Sequence, residues 1–130
     1  MSLAKNNKMY SVLVIGIAII YLATGLRKLF GAGSIVADFM SWGYSPLFMY
    51  FIGIIELLGA ITLLIPQTRV LAIPSLGVVM LGAVGTHLLN EEYLQVLLPL
   101  AMLVLLGVLF MMSREELESG NLHEEDKAVY

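Results

Sequence analysis

The sequence predicts an all-α integral membrane protein, an up-down four-helix bundle with a short amphipathic helix in its first outer loop. Its 130 residues are 59% hydrophobic and only 13% charged, whereas a soluble domain carries about 25% charged residues. Long charge-free stretches cover residues 9–26, 39–55, 70–90 and 93–113. A helix needs about 20 mainly apolar residues to cross a bilayer. In lipid, a helix satisfies its backbone groups within its own segment, so these stretches favour transmembrane helices.

Four transmembrane helices are predicted, at residues 9–29, 46–65, 70–89 and 94–112. Short links, Pro-Gln-Thr-Arg and Asn-Glu-Glu-Tyr, follow the second and third helices, and short links make consecutive helices antiparallel neighbours. Pro99 would then lie inside the fourth helix and is expected to kink it. Residues 113–130 form an acidic cytoplasmic tail, which is expected to be helical at most to Gly120 and mobile beyond it.

The first helix has an alternative interpretation as a cleaved signal peptide. Lys5 and Lys8 give it a basic start, and residues 23–25 form a passable cleavage site. Arg27 and Lys28, which follow directly, are unusual after such a site. We therefore interpret the first helix as an uncleaved span.

The distribution of basic residues predicts the orientation of the bundle. Four spans place both termini on one side of the membrane, together with the link between the second and third helices. That side carries five basic residues: Lys5, Lys8, Arg69, Arg114 and Lys127. The other side carries Arg27 and Lys28. Because cytoplasmic loops are enriched in Lys and Arg, both termini are expected in the cytoplasm, with the protein in the inner or plasma membrane.

The first outer loop is expected to be more than a linker. Ile35, Phe39 and Trp42 recur at helical spacing, which predicts a short amphipathic helix lying at the outer surface. An irregular loop with aromatic anchors is the alternative. A sharper hypothesis is that this segment covers the outer mouth of the bundle.

A carboxylic acid interrupts the apolar second helix. Glu56 lies ten residues beyond Pro46, about 15 Å along the helix axis and therefore near the middle of the bilayer. An unpaired charge at that depth is costly. Gly53, Gly59 and Ala60 share its helical face, and small residues allow another helix to approach closely. Glu56 is therefore expected to face the interior of the bundle.

Neighbouring helices offer basic partners for this acid. Lys28 shares a face of the first helix with Tyr21 and Thr24. His87 lies near the end of the third helix, one turn from Asn90. The predicted ligand-binding cluster in the outer half of the membrane comprises Lys28, Glu56 and His87, with Tyr21, Thr24 and Asn90 as further members.

Two interpretations of the cluster stay open. It could be a salt bridge that fixes the register of three helices. It could also bind a small polar head group or handle protons, because ionisable groups inside the membrane are often functional. No catalytic residue and no metal site is predicted, and the eight Met residues suit adaptable packing. No basic patch suggests nucleic acid, so the lipid bilayer is the first expected partner.

Three segments resemble the DoxX-like family of small bacterial and archaeal membrane proteins. They are "GLRKLFG", "SWGYSPLFMYFIGIIELLGAITLLIP" and "MLGAVGTHLLN". The resemblance rests on the order and spacing of Gly25, Lys28, Gly43, Pro46, Gly53, Glu56, Gly59, Pro66 and His87. It covers residues 12–112 and implies a four-helix bundle with Lys28, Glu56 and His87 as the positions of interest. It also implies a membrane subunit or anchor of an oxidoreductase system, since the family is named after a thiosulfate:quinone oxidoreductase subunit.

The sequence limits which redox roles fit. It has no Cys, which excludes a thiol pair. His87 is the only His in a membrane segment, which excludes a bis-His haem within the chain, and no glycine fingerprint for a flavin is present. No intrinsic cofactor is therefore expected, and a quinone is the candidate ligand, with an oxidoreductase partner or a homo-oligomer as candidate assemblies. The alternatives are a non-enzymatic scaffold or assembly factor and, less favoured, a small proton-coupled exporter.

Overall fold

The computed structural model describes residues 7–129, and these residues contain helices but no strand. The α-helices are α1 (Asn7–Leu29), α2 (Ile35–Ser41), α3 (Pro46–Leu64), α4 (Arg69–Leu89) and α5 (Leu97–Ala128). A single 3-10 turn, Pro66–Thr68, precedes α4. Helices α1, α3, α4 and α5 are long and apolar enough to cross a membrane. The predicted all-α bundle with four spans is confirmed, whereas Lys5, which entered the charge count, lies outside the described residues.

The four long helices pack as a ring. Helix α1 packs on α3, α3 on α4, α4 on α5, and α5 closes the ring on α1. The interior is filled by apolar side chains such as Ile17, Leu63 and Leu76, which are almost fully buried. Large apolar side chains such as Leu58 and Val104 are exposed on the outside. An apolar exterior of this kind suits a lipid bilayer.

Helices α1 and α3 approach each other through paired glycines. A Cβ added to Gly25 would lie 2.9 Å from the carbonyl oxygen of Gly53, and one added to Gly53 would lie 3.0 Å from that of Gly25. Only glycine leaves room for two helix backbones at this separation. The close crossing brings Lys28, one turn after Gly25, to the level of Glu56.

Three helices end in the same left-handed capping motif. Gly31 after α1, Gly43 after α2 and Glu91 after α4 have φ values of 58°, 86° and 60°. At the end of α4, the Glu92 N–H donates to the carbonyl oxygen of His87 at 2.9 Å, as this motif requires. The motif folds the chain back at the end of α4 and so places Glu92 beside His87.

Replacing Glu91 by Gly is expected to stabilise the protein. A side chain in left-handed backbone conformation costs about 1–2 kcal/mol, and glycine avoids that cost, as it does at positions 31 and 43. We expect Glu91→Gly to raise the free energy of unfolding by about 1 kcal/mol, measured by denaturation in micelles. Glu91→Ala is the control, because it keeps the Cβ. A Gly variant no more stable than the Ala variant would contradict this account.

A polar network joins the four long helices at the opposite end of the bundle. The Arg69 Nε donates to the carbonyl oxygen of Leu63 at 2.7 Å, and its Nη1 donates to the Tyr10 hydroxyl at 3.2 Å. The Tyr10 hydroxyl in turn lies 2.9 Å from the Ser113 Oγ. Arg69 entered the sequence analysis only as a charge. In the structure it connects the start of α4 to the end of α3 and to Tyr10 of α1, and Tyr10 in turn connects α1 to α5.

The outer loop and the fourth span can be compared with what the sequence predicted for them. Helix α2 exists, which confirms the amphipathic helix over the irregular loop. Helix α5 begins at Leu97 instead of residue 94, so Pro99 lies in its first turn, where a missing N–H breaks no helical hydrogen bond. The kink at Pro99 was expected because the residue was placed inside the helix, and its position in the first turn removes that cause. The expected end of the helix by Gly120 was wrong, because α5 continues to Ala128 through a segment rich in the helix formers Glu and Leu.

Candidate functional site

A cavity of about 650 Å³ lies between the helices. Its inner end, deep within the bundle, is lined by Tyr21 and Glu56. Its outer end, beside α2 and the link between α4 and α5, is lined by Phe39, Trp42 and Glu92. All five helices contribute to its lining, which is largely apolar. Ligand sites in proteins are typically apolar clefts of about 300–1,000 Å³ with a few converging polar groups. The volume and the lining therefore suit a small organic ligand.

The acid in α3 is paired with the Lys of α1, as the sequence predicted. The Lys28 Nζ donates to both carboxylate oxygens of Glu56, at 3.1 Å and 2.8 Å. The Glu56 side chain is 2% exposed and the Lys28 side chain 14%. Both residues line the cavity. Glu56 thus faces inward, and its charge is balanced inside the bundle.

Tyr21 and Thr24 extend this polar patch along α1. Both line the cavity, and Thr24 donates to the backbone carbonyl oxygen of Tyr21 at 3.3 Å. Tyr21 is 1% exposed, yet within the part of the chain that the structure describes its hydroxyl has no hydrogen-bond partner. A buried hydroxyl without a partner is costly and uncommon in native proteins. Tyr21 therefore has a hydroxyl that could still form a hydrogen bond at the inner end of the cavity.

The other two predicted members of the cluster make different contacts. His87 lines the same cavity, but its Nδ1 lies 2.7 Å from the Glu92 Oε2, and among residues 7–129 no ion pair joins it to Glu56. The Asn90 side chain donates to the backbone carbonyl oxygen of Thr86 at 2.8 Å. Asn90 caps its own helix and is absent from the cavity lining. The structure thus brings Lys28, Glu56, Tyr21 and Thr24 together at the inner end and His87 at the outer end.

A second polar cluster, here named the latch, comprises Trp42, His87 and Glu92. The Trp42 Nε1 donates to the Glu92 Oε1 at 3.1 Å, while the Glu92 Oε2 accepts from His87. An ionised carboxylate can only accept, so the Nδ1 of His87 carries the proton. The Trp42 and His87 rings also meet edge to face, with centroids 5.2 Å apart. One carboxylate thus connects the end of α2 with the end of α4.

The latch stabilises the ionised form of Glu92. The hydrogen bond from His87 and then that from Trp42 lower the pKa of the Glu92 carboxyl below its ordinary value of 4.5. Because the pKa is lower in the folded protein, this stabilisation is fully present above the ordinary value and is lost as the pH falls through the lowered one. The latch therefore keeps its charged acceptor throughout the neutral range.

Neither the latch nor the hydrogen bond between Tyr44 and Thr86 beside it was predicted from the sequence. The sequence shows Glu92 only as part of a short polar link, and Trp42 as part of the predicted amphipathic helix or, in the alternative, as an aromatic anchor. Tyr44 contacts α4 as well, since its hydroxyl lies 2.9 Å from the Thr86 Oγ1. The spacing of five residues between His87 and Glu92 was the available signal, because a left-handed cap folds such a residue back to its helix end. Arg27, which the sequence showed only as a basic residue of the outer side, lies exposed at the cavity mouth and lines it.

The fold and the site define a small four-span membrane protein with an ion pair at the inner end of an internal cavity. The family model described as the DoxX-like family matches residues 12–109. The chain belongs to the DoxX-like family, as the resemblance of its motifs indicated. Comparison with curated proteins and with solved structures gives no match.

Proposed function

We propose that this DoxX-like protein binds a quinone-class ligand in its cavity and serves as a membrane subunit or anchor of an oxidoreductase system. The observation that carries the proposal is the buried Tyr21 hydroxyl, which has no partner in residues 7–129 and belongs to a residue that lines the same cavity as the Lys28–Glu56 pair. A quinone presents carbonyl oxygens on an apolar ring. It therefore needs hydrogen-bond donors within an apolar site.

The inner end of the cavity offers two such donors. The Tyr21 hydroxyl is one of them. The Lys28 ammonium has three N–H groups, of which two serve the oxygens of Glu56, so one is left to donate to a ligand oxygen. Apolar side chains such as Ile52, Val79 and Met102 line the space around these donors and suit a ring and the start of an isoprenoid tail.

The charge balance favours a neutral ligand. Lys28 and Glu56 cancel each other, so the inner end of the cavity has no net charge for an ionic head group. Taking an ion out of water without a counter-charge is costly. A neutral carbonyl compound avoids this cost, which supports a quinone over an anion or a cation.

Replacing Tyr21 by Phe is expected to weaken quinone binding while the fold is kept. Loss of one hydrogen bond, worth about 0.5–1.5 kcal/mol, corresponds to about a two- to tenfold increase in Kd. Trp42 lines the cavity and is the only Trp of the chain, so quenching of its fluorescence reports binding. Titration would use short-chain ubiquinone and menaquinone analogues, with the protein in nanodiscs.

Tyr50→Phe is the matched control for this titration. Tyr50 is an exposed Tyr of α3 outside the cavity lining, so its hydroxyl should not affect the affinity. Saturable quenching that weakens in the Tyr21 variant and persists in the Tyr50 variant supports the proposal. Quenching that never saturates, or equal affinities in all three proteins, would refute binding at this site.

The oxidoreductase role is tested by purification from native membranes in a mild detergent. We expect a co-purifying protein whose absorbance shows flavin, haem or iron. A stable complex without any of these groups would favour the second candidate, a non-enzymatic scaffold. The exposed, acidic part of α5 after Ser113 favours that candidate, and truncation there should then abolish the complex while quinone binding persists.

We also propose that the termini face the cytoplasm, with the protein in the plasma membrane. Arg69 and Arg114 lie toward one end of the bundle. Arg27 and Lys28 lie toward the other end, where Lys28 is paired with the buried Glu56 and only Arg27 of these two is exposed. The chain has no Cys, so single cysteines report sidedness. In intact cells, an impermeant maleimide should label Ala32→Cys, and Ala128→Cys only after lysis. The reverse pattern would overturn this orientation.

A further inference from the structure

We propose that the latch of Trp42, His87 and Glu92 closes the outer end of the cavity and controls access to it. This inference rests on the proposed role of the cavity as a ligand site. It assigns to the three residues a gating role that is separate from ligand binding at the inner end. Its test therefore needs no bound quinone.

The latch bridges two sides of the cavity mouth. Helix α2 packs on α1 and α3 and contributes Phe39 to the lining. On the other side lie the end of α4 and the link to α5. Two side-chain hydrogen bonds cross between them, Trp42 to Glu92 at 3.1 Å and Tyr44 to Thr86 at 2.9 Å, beside the edge-to-face contact of the Trp42 and His87 rings. All three latch residues line the cavity themselves, so their separation widens its mouth.

The local structure permits such an opening. Gly43, between the two bonded residues, has a φ of 86° and no neighbouring atom that would obstruct a side chain there. The Glu92 side chain is 30% exposed, so water can replace its bonds. Arg27 and Asp38 also line the mouth, and among the residues described neither forms an ion pair with the latch. The latch thus depends on a few polar contacts that can be broken without unpacking α2.

Labelling of an engineered cysteine tests the latch directly. Ala83 of α4 lines the cavity, and a cysteine there would be the only thiol of the chain. The rate of modification by a water-soluble cationic methanethiosulfonate reagent is measured in nanodiscs. With Glu92→Ala, we expect this rate to rise about tenfold or more, since two hydrogen bonds to a charged group are lost. Removal of a negative charge alone would slow a cationic reagent, so a faster rate indicates opening.

Two control cysteines separate gating from general loosening. Ala32→Cys, in an exposed loop, should react equally fast with and without Glu92→Ala. Ala60→Cys, fully buried in α3, should stay unmodified in both. If Glu92→Ala does not fold, Trp42→Phe replaces it, because it removes the indole N–H and keeps a ring against Phe39. Equal rates at position 83 with and without the latch change, or modification at position 60, would overturn the proposal.

Discussion

Replacing Lys28 by Met should lower the free energy of unfolding by about 3–5 kcal/mol, because it leaves a buried carboxylate without its partner. Glu56 is 2% exposed, and Lys28 donates to both of its oxygens. Met keeps the length of the side chain, so the loss reflects the missing charge more than a cavity. Unfolding in micelles, followed by circular dichroism, provides the measurement.

The double variant Lys28→Met with Glu56→Leu is the matched control. An apolar pair of similar volume is often as stable as a buried ion pair, so the double variant should regain most of the lost stability. It should nevertheless lose quinone binding if the pair belongs to a ligand site. A double variant that is stable and still binds would show that the pair has only a structural role. A Lys28 variant as stable as the wild type would contradict the ion pair itself.

Replacing Gly25 by Ala should destabilise the protein by about 1–3 kcal/mol, the usual cost of overpacking a tight contact. The added Cβ would lie 2.9 Å from the carbonyl oxygen of Gly53 and 3.1 Å from the backbone nitrogen of Leu57. Both are backbone atoms, so the helices themselves must separate. That separation lengthens the contact between Lys28 and Glu56, and quinone affinity should fall together with stability.

Gly16→Ala is the control on the same helix. A Cβ on Gly16 meets no atom within 4 Å, and Ala favours a helix over Gly by about 1 kcal/mol. This variant should be as stable as the wild type or more stable, with unchanged binding. Equal effects of the two substitutions would mean that helix propensity decides the result and that the α1–α3 contact does not.

The sequence predicted the spans well because lipid imposes a strong and local constraint. Charge-free runs long enough to cross a bilayer leave few alternatives, and the bounds of α1 and α4 lie close to the ends of such runs. Glu56 interrupts the run of α3, which is bounded instead by Pro46 and Pro66. Helix α5 was less well predicted at both ends. Its start depends on the turn after Glu92, and its extension to Ala128 depends on helix propensity outside the membrane. Hydropathy reports neither of these properties.

The site was predicted where neighbouring helices pack through small residues. The glycines beside Glu56 indicated its inward face, and the face of α1 that carries Lys28 then followed. His87 was assigned to the same cluster because α4 ends on the same side of the membrane as α1, which places His87 near the end of the bundle that carries Lys28. Its actual partner depends on the left-handed cap at Glu91, which brings Glu92 back to the helix end. That cap carries no glycine, the residue that would have marked it in the sequence.

Mass spectrometry of the lipids that remain bound after purification from native membranes shows whether the cavity holds a quinone. We expect a prenylquinone enriched over bulk phospholipid, close to one per chain, and strongly depleted when Ala83→Phe fills the cavity. Val104→Phe, a change on the exposed outer face of α5, should leave the quinone in place. A purified protein without quinone enrichment, or with equal amounts in all three proteins, would contradict the claim that this cavity is a quinone site.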